Sequence, residues 1–214
     1  HNYGIGNTFT GINSGNFTMS DGYNTGVGYQ SLQFNTTGSS NTAMGYSSLN
    51  TNTTGNQNIA VGYNSLFSNT EGSSNTALGS STLFLNTTGN NNTALGDFSL
   101  YYNITGNNNT AVGNWSLLNN KGSSNTAVGH FSLSTNTTGS ENTAIGYQSL
   151  YSNKLNPGNT AVGWNALYLN TGWNNTAVGH HSLNSNTTGN YNTALGYNAG
   201  STVTTGLNLT LIGI

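Results

Sequence analysis

The sequence predicts an all-β protein, a parallel β-solenoid wound from coils of 16–17 residues. Three observations predict it: a short repeat running through nearly the whole chain, a glycine at two fixed places in each repeat, and a composition poor in charge and in helix formers. The motif NTAxG starts at Asn41, Asn75, Asn92, Asn109, Asn125, Asn142, Asn159, Asn175 and Asn192. Variants start at Asn24 (NTGVG) and Asn58 (NIAVG), and weaker ones at Asn7 (NTFTG) and Leu209 (LTLIG). The spacing is 17 residues, shortened to 16 after Asn109 and after Asn159. With that asparagine as position 1, the unit reads N-T-A-(V/L/I/M)-G-x-x-S-L-x-x-N-T-T-G-x-x.

Each part of the unit supports a coil. Seventeen residues are too few for a helical repeat, which needs two helices, but suffice for two short strands and two turns. Gly at positions 5 and 15 would break a helix. No Asn-Gly dipeptide occurs, so the strongest hairpin signal is missing and successive coils are expected to stack in parallel. About a dozen coils at a strand spacing of about 4.8 Å would make a rod about 60 Å long. Residues 1–23 read as irregular N-terminal coils, 24–207 as about eleven regular coils, and 208–214 as the start of another. The start HNYGIG, without Met, reads as the interior of a longer chain.

Two neighbouring columns are apolar. Position 3 is Ala in most coils, and position 4 is a larger aliphatic: Val27, Met44, Val61, Leu78, Leu95, Val112, Val128, Ile145, Val162, Val178 and Leu195. Neighbours in a strand face opposite sides, so one column must point away from the coil interior that the position-9 leucines fill. About eleven exposed aliphatics in a row exceed what a monomer normally leaves in water. The position-4 residues are therefore assigned to an oligomer axis and Ala to the narrow interior, although sequence alone leaves the choice of column open.

Composition excludes several functions. Charged residues are 3 % of the chain: Lys121, Lys154, Asp21, Glu71, Asp97 and Glu141, with no Arg. A net charge of −2 without a basic cluster argues against nucleic-acid binding. The carboxylates fall at different repeat positions several coils apart, so no acid–base pair can form, and neither an enzyme nor a cofactor is expected. His130 and His180 share position 6 but lie three coils apart, roughly 14 Å along the stack, so no metal site is expected. There is no Cys, hence no disulfide framework. No run of 18 apolar residues suggests membrane insertion.

The remaining columns offer candidate surfaces. Asn at positions 1 and 12, such as Asn75 and Asn86, suits turns and coil-to-coil amide ladders. Six position-12 residues, Asn35, Asn52, Asn86, Asn103, Asn136 and Asn186, also open sequons and are candidate N-glycosylation sites. Aromatics gather at positions 6, 7, 10 and 11. Tyr147, Trp115 and Trp164 are candidate glycan contacts, since a flat ring beside amides can stack on a sugar; the other reading is that the rings stack on one another. Thr at position 2 raises ice binding, weakened because it shares a face with the position-4 aliphatics.

The pattern NTAVG…SL…NTTG resembles repeats found before the endosialidase-type intramolecular chaperone in phage tail fibres and related surface proteins. It is more distantly similar to the heads of YadA-like trimeric autotransporter adhesins. The resemblance covers about residues 7–213. It implies a left-handed β-roll assembled as an intertwined or side-by-side homotrimer, located outside the cell or on a cell or virion surface, with no catalytic residues. The unit is longer than the adhesin unit, and no chaperone domain, coiled-coil stalk or membrane anchor is seen in this chain. Asn198-Ala199-Gly200 and Asn13-Ser14-Gly15 replace the usual S-L at the two ends. The expected function is a structural fibre or filament segment with an adhesive role, joined to copies of itself side by side or end to end; the alternatives are a glycan-binding module or an ice-binding solenoid.

Overall fold

The computed structural model describes residues 5–16, 19, 20 and 22–213. The chain divides into two compact units, His1–Asn108 and Asn109–Ile214. The first carries strands β1 (Thr8–Thr10), β2 (Thr25–Val27), β3 (Thr42–Met44), β4 (Ile59–Val61), β5 (Thr76–Leu78) and β6 (Thr93–Leu95). The second carries β7 (Thr110–Val112), β8 (Thr126–Val128), β9 (Thr143–Ile145), β10 (Thr160–Val162), β11 (Thr176–Val178), β12 (Thr193–Leu195) and β13 (Thr210–Ile212). Within each unit every strand pairs in parallel with the next, in register by repeat position, as in Thr76↔Thr93, Ala77↔Ala94 and Leu78↔Leu95 or Thr160↔Thr176 and Val162↔Val178. Each unit is thus a parallel β-solenoid.

The strand alternation resolves the two apolar columns. Ala points inward and is fully buried, from Ala43 to Ala177. It packs with the position-9 leucines, all ten of which have no exposed surface. The position-4 side chains face out: Val27, Met44, Leu78, Leu95, Ile145 and Leu195 are exposed, and Val61, Val112, Val128, Val162 and Val178 are half-buried.

One expectation fails in detail. Each coil holds one three-residue strand, not two; the Ser-Leu arm is a chain of turns. The backbone explains it. Positions 7, 9 and 17 take left-handed φ values, as at Ser81 (52°), Leu83 (52°) and Asn91 (56°). A left-handed L-residue costs about 1–2 kcal/mol, and full burial of a leucine returns about 1.5–3 kcal/mol, so position 9 is held by its packing.

The core is also polar. Asn58 Nδ2 and Asn69 Nδ2, from positions 1 and 12 of one coil, both donate to the Gly72 carbonyl at position 15, at 2.8 and 2.9 Å. The same pair of amides closes the coils at Gly55 and Gly89. Each column also bonds along the stack. Asn75 N and Nδ2 donate to Asn58 Oδ1, at 3.0 and 3.1 Å, and Asn69 Nδ2 donates to Asn52 Oδ1 at 2.7 Å. Position 15 favours glycine, since a Cβ at Gly55 would sit 2.3 Å from the Gly72 oxygen; Asn156 stands there in one coil, and its carbonyl takes the Asn142 and Asn153 amides in the same way. Position 5 needs it doubly: Gly45 has φ +138°, and a Cβ there would lie 2.4 Å from the Gly62 oxygen.

The two shortened coils lose their residue between positions 12 and 15. Lys121 alone links Asn120 to Gly122, and Thr171 alone links Asn170 to Gly172. Both amides still reach their glycine carbonyls, Asn120 at 2.8 Å and Asn170 at 2.9 Å.

Two outcomes follow from this wiring. Asn75→Ala removes donors to Gly89 O and Asn58 Oδ1 and an acceptor used by Asn92; it should cost about 3 kcal/mol or more in urea unfolding, given about 1–3 kcal/mol per stranded buried group. Glu141 is exposed with φ 60°. Glu141→Asn, which suits a left-handed backbone better, should raise stability by roughly 0.5–1 kcal/mol in the same measurement.

Candidate functional site

The aromatic columns differ between the two units. In the first, rings at one repeat position lie face to face. Tyr29, Tyr46 and Tyr63 stack with centroids 5.1 and 5.2 Å apart and planes 16° off parallel. Phe67, Phe84 and Tyr101 do the same at 5.3 and 5.1 Å. The stacked tyrosines remain exposed, Tyr46 by 48 % and Tyr63 by 55 %. Tyr151 and Tyr168 of the second unit form one such pair, at 5.4 Å and 13°.

Elsewhere in the second unit the rings are of mixed type, and several pairs meet tilted or edge to face. Position 6 carries His130, Tyr147, Trp164, His180 and Tyr197, and position 7 adds Trp115, Phe131 and His181. Tyr147 meets Trp164 at 4.6 Å with planes 32° apart. His130 lies 5.8 Å from Tyr147 at 53° and 6.1 Å from Trp115 at 40°. Trp115 meets Phe131 edge to face at 4.7 Å. The three candidate glycan contacts therefore belong to one strip: Tyr147 and Trp164 touch, and His130 links Trp115 to them. Trp164 is 50 % exposed and Trp115 38 %. Farther along position 6, Trp164, His180 and Tyr197 lie nearly parallel, with planes 23° and 22° apart. From sequence the histidines are assigned no site. Their shared position 6 with Tyr147 and Trp164 is the signal that places them in the strip.

His180 and His181 are adjacent rings, 4.4 Å apart. Burial, and then the neighbouring His180, hold the His181 pKa below its ordinary value. Among the described residues no three His, Cys, Asp or Glu side chains could hold one metal ion. Asp97 Oδ1 accepts the Ser80 backbone N–H at 2.8 Å, a turn contact across coils. No described helix is long and apolar enough to cross a membrane.

The six sequon asparagines are not surface groups. Asn35, Asn52, Asn86, Asn103, Asn136 and Asn186 are fully buried, and each Nδ2 donates to the glycine carbonyl three residues on, at 2.7–3.0 Å. The atom that would carry the glycan is a ladder donor, so a sugar there is incompatible with the folded coil. The sequence offers two readings of position 12, an amide ladder and a glycosylation site, and the structure shows the ladder. The sequons at Asn91, Asn108, Asn114, Asn174 and Asn208 are exposed.

The sheet face carries Thr at position 2, half-buried or exposed, beside the outward aliphatics. The structure brings all eleven position-4 residues to the outer side of their units, in two runs: Val27 to Leu95 and Val112 to Leu195.

The fold defines the chain as a repeat protein of the parallel β-solenoid class. Comparison with protein-family models, with curated proteins and with solved structures finds no match.

Two measurements probe these surfaces. Expressed in a host that glycosylates Asn-x-Thr/Ser, the protein should carry glycans at exposed sequons such as Asn114 and Asn174 and none at the six position-12 residues, by peptide mass mapping. The lowered His181 pKa gives a stability contribution present above about pH 6.5, the unfolded value, and lost as pH falls, because the unfolded state then binds more protons. The melting temperature should fall from pH 7 to pH 5, and less so in His181→Asn.

Proposed function

We propose that this solenoid is a rigid, nearly uncharged display module that binds glycans along the tilted aromatic strip of its second unit. The observation that carries this reading is a tryptophan-bearing strip on the surface of the second unit: Trp164 is 50 % exposed and Trp115 38 %, Tyr147 touches Trp164, and Asn114, Gln148 and Asn165 stand beside them in sequence. A sugar ring would lie on an open face while hydroxyls bond to neighbouring amides. With no Arg and two Lys in the chain, the ligand is a neutral glycan rather than an acidic one. The function is binding without catalysis. Trp164→Ala should weaken binding to its best ligand on a glycan array about tenfold, the equivalent of one aromatic contact of about 1.4 kcal/mol, with native mass and circular dichroism unchanged. Full retention of binding, or no glycan bound by the parent protein, overturns the proposal.

A second reading, a self-associating fibre segment, is favoured by the outward Thr–aliphatic face. Its long apolar column is larger than scattered surface hydrophobics and has no charge to keep copies apart. The homotrimer and the extracellular or virion-surface location rest on the repeat resemblance. Light scattering should give a native mass near three times 22.2 kDa. A monomer with thermal hysteresis in ice growth would assign the face to ice instead, and a monomer without it would remove both readings of that face.

A further inference from the structure

The turn that leads into each strand carries a further ladder. At position 16 a side-chain oxygen accepts the backbone N–H of the same position one coil earlier. Asn56 Oδ1 accepts from Ser39, Ser73 Oγ from Asn56 and Asn90 Oδ1 from Ser73 in the first unit, and Ser140 Oγ from Ser123 in the second, at 2.8–3.1 Å. The second unit then departs from this pattern. Pro157, Trp173 and Leu207 occupy position 16 and bring no such oxygen. Pro157 has no N–H, so Trp173, whose indole can only donate, strands no donor behind it. Pro157 itself offers the Ser140 N–H no side-chain oxygen. Asn190 keeps the pattern and holds the tryptophan backbone, its Oδ1 accepting the Trp173 N–H at 2.9 Å.

Position 17 shows a matching departure. The residue there takes a left-handed φ, 54° at both Asn174 and Asn208, which suits asparagine. Tyr191 is held in the same conformation at 56°, one that a bulky side chain rarely takes. Gly158, one coil before Asn174, makes room: a Cβ there would collide with Asn174 Oδ1, so the amide occupies the place of a missing side chain. These departures converge on one spot. The Trp173 and Tyr191 rings lie 5.1 Å apart with planes at 56°, and they are 43 % and 46 % exposed. Leu207, also exposed, follows in the position-16 column. A ladder acceptor given up and an aromatic held in a left-handed turn are local costs of the kind that accompany function.

We propose that Trp173 and Tyr191 form a carbohydrate platform, separate from the Trp164 strip and not dependent on it. Trp173 precedes β11 and His180 follows it, so platform and strip belong to opposite ends of the strands. The ligand is a neutral, β-linked oligosaccharide of gluco configuration. Its equatorial hydroxyls leave the ring faces covered by C–H groups, which pack on an indole or phenol face. Two adjoining rings offer more face than one sugar covers, which favours a chain over a monosaccharide. The Asn174 and Asn190 amides stand next to the two rings in sequence and can bond hydroxyls at the sugar rim. None of these side chains is charged, so the platform selects no ionic group.

The chain has three tryptophans, and the indole N–H signals of a proton–nitrogen correlation spectrum report platform and strip separately, once assigned by single Trp→Phe variants. The protein is made in a host without N-glycosylation, because a glycan on Asn174 would cover the same rings, and is titrated with cellotetraose and with N-acetylated chitotetraose. The Trp173 signal should move and saturate with at least one of them. Tyr191→Asn places a residue suited to the left-handed turn and so keeps the fold; it should weaken that binding about tenfold. A Trp173 signal unmoved by both sugars, or equal binding by Tyr191→Asn, overturns the platform. The Trp115 and Trp164 signals bear on the strip alone: if they stay still while Trp173 moves, the strip falls and the platform stands.

Discussion

Everything in this structure depends on one carbonyl per coil. The position-15 oxygen receives two buried side-chain amides, one from the start of the coil and one from three residues before it, as at Gly72. A buried amide left unpaired costs about 1–3 kcal/mol, so both columns must be served in every coil. That demand fixes the coil length between the two asparagines, places a glycine where the amide and the next coil's carbonyl converge, and fixes the parallel register of the strands. The small Ala–Leu core could not specify register alone. Identical alanines would tolerate slippage, whereas an amide ladder slipped by one residue strands its donors.

The surface obeys a looser rule. Where one ring type repeats, as in Tyr29–Tyr46–Tyr63, the stacking geometry is uniform. Where tryptophan, tyrosine and histidine alternate, the angles between neighbouring planes along the column run from 22° to 53°. Chemical variety at fixed spacing is what sets the candidate binding strip apart. It lies on a scaffold whose own stability owes little to ion pairs: Asp97 and Glu141, for example, make turn contacts only.

Much of this is legible in the sequence, because a repeat converts geometry into columns. The Ala–aliphatic alternation gave the parallel strand, the invariant leucine gave the core, and the paired asparagines gave ladders bonded to turn backbone. Three features were not legible. Left-handed backbone at Leu83 or Trp115 has no local signal, since neither residue favours it; tertiary packing imposes it, and it removes the expected second strand. Asn35 and its equivalents carry two readings in sequence, ladder and glycosylation motif, and only their burial in the fold decides for the ladder. The glycines of Asn13-Ser14-Gly15 and Asn198-Ala199-Gly200 show in sequence only as departures from the usual S-L; that they leave room for Phe9 and Leu211 is seen only in the fold.

The shortened turns at Lys121 and Thr171 carry a consequence for how such a chain can change. Both amide columns bracket the turn but neither runs through it, so its length is decoupled from the register of every coil that follows. A codon lost or gained there leaves the rest of the winding in phase, while the same change inside the strand would shift each downstream side chain to the wrong column. This turn is therefore where foreign peptides can be grafted, one per coil, at a spacing set by the stack of strands.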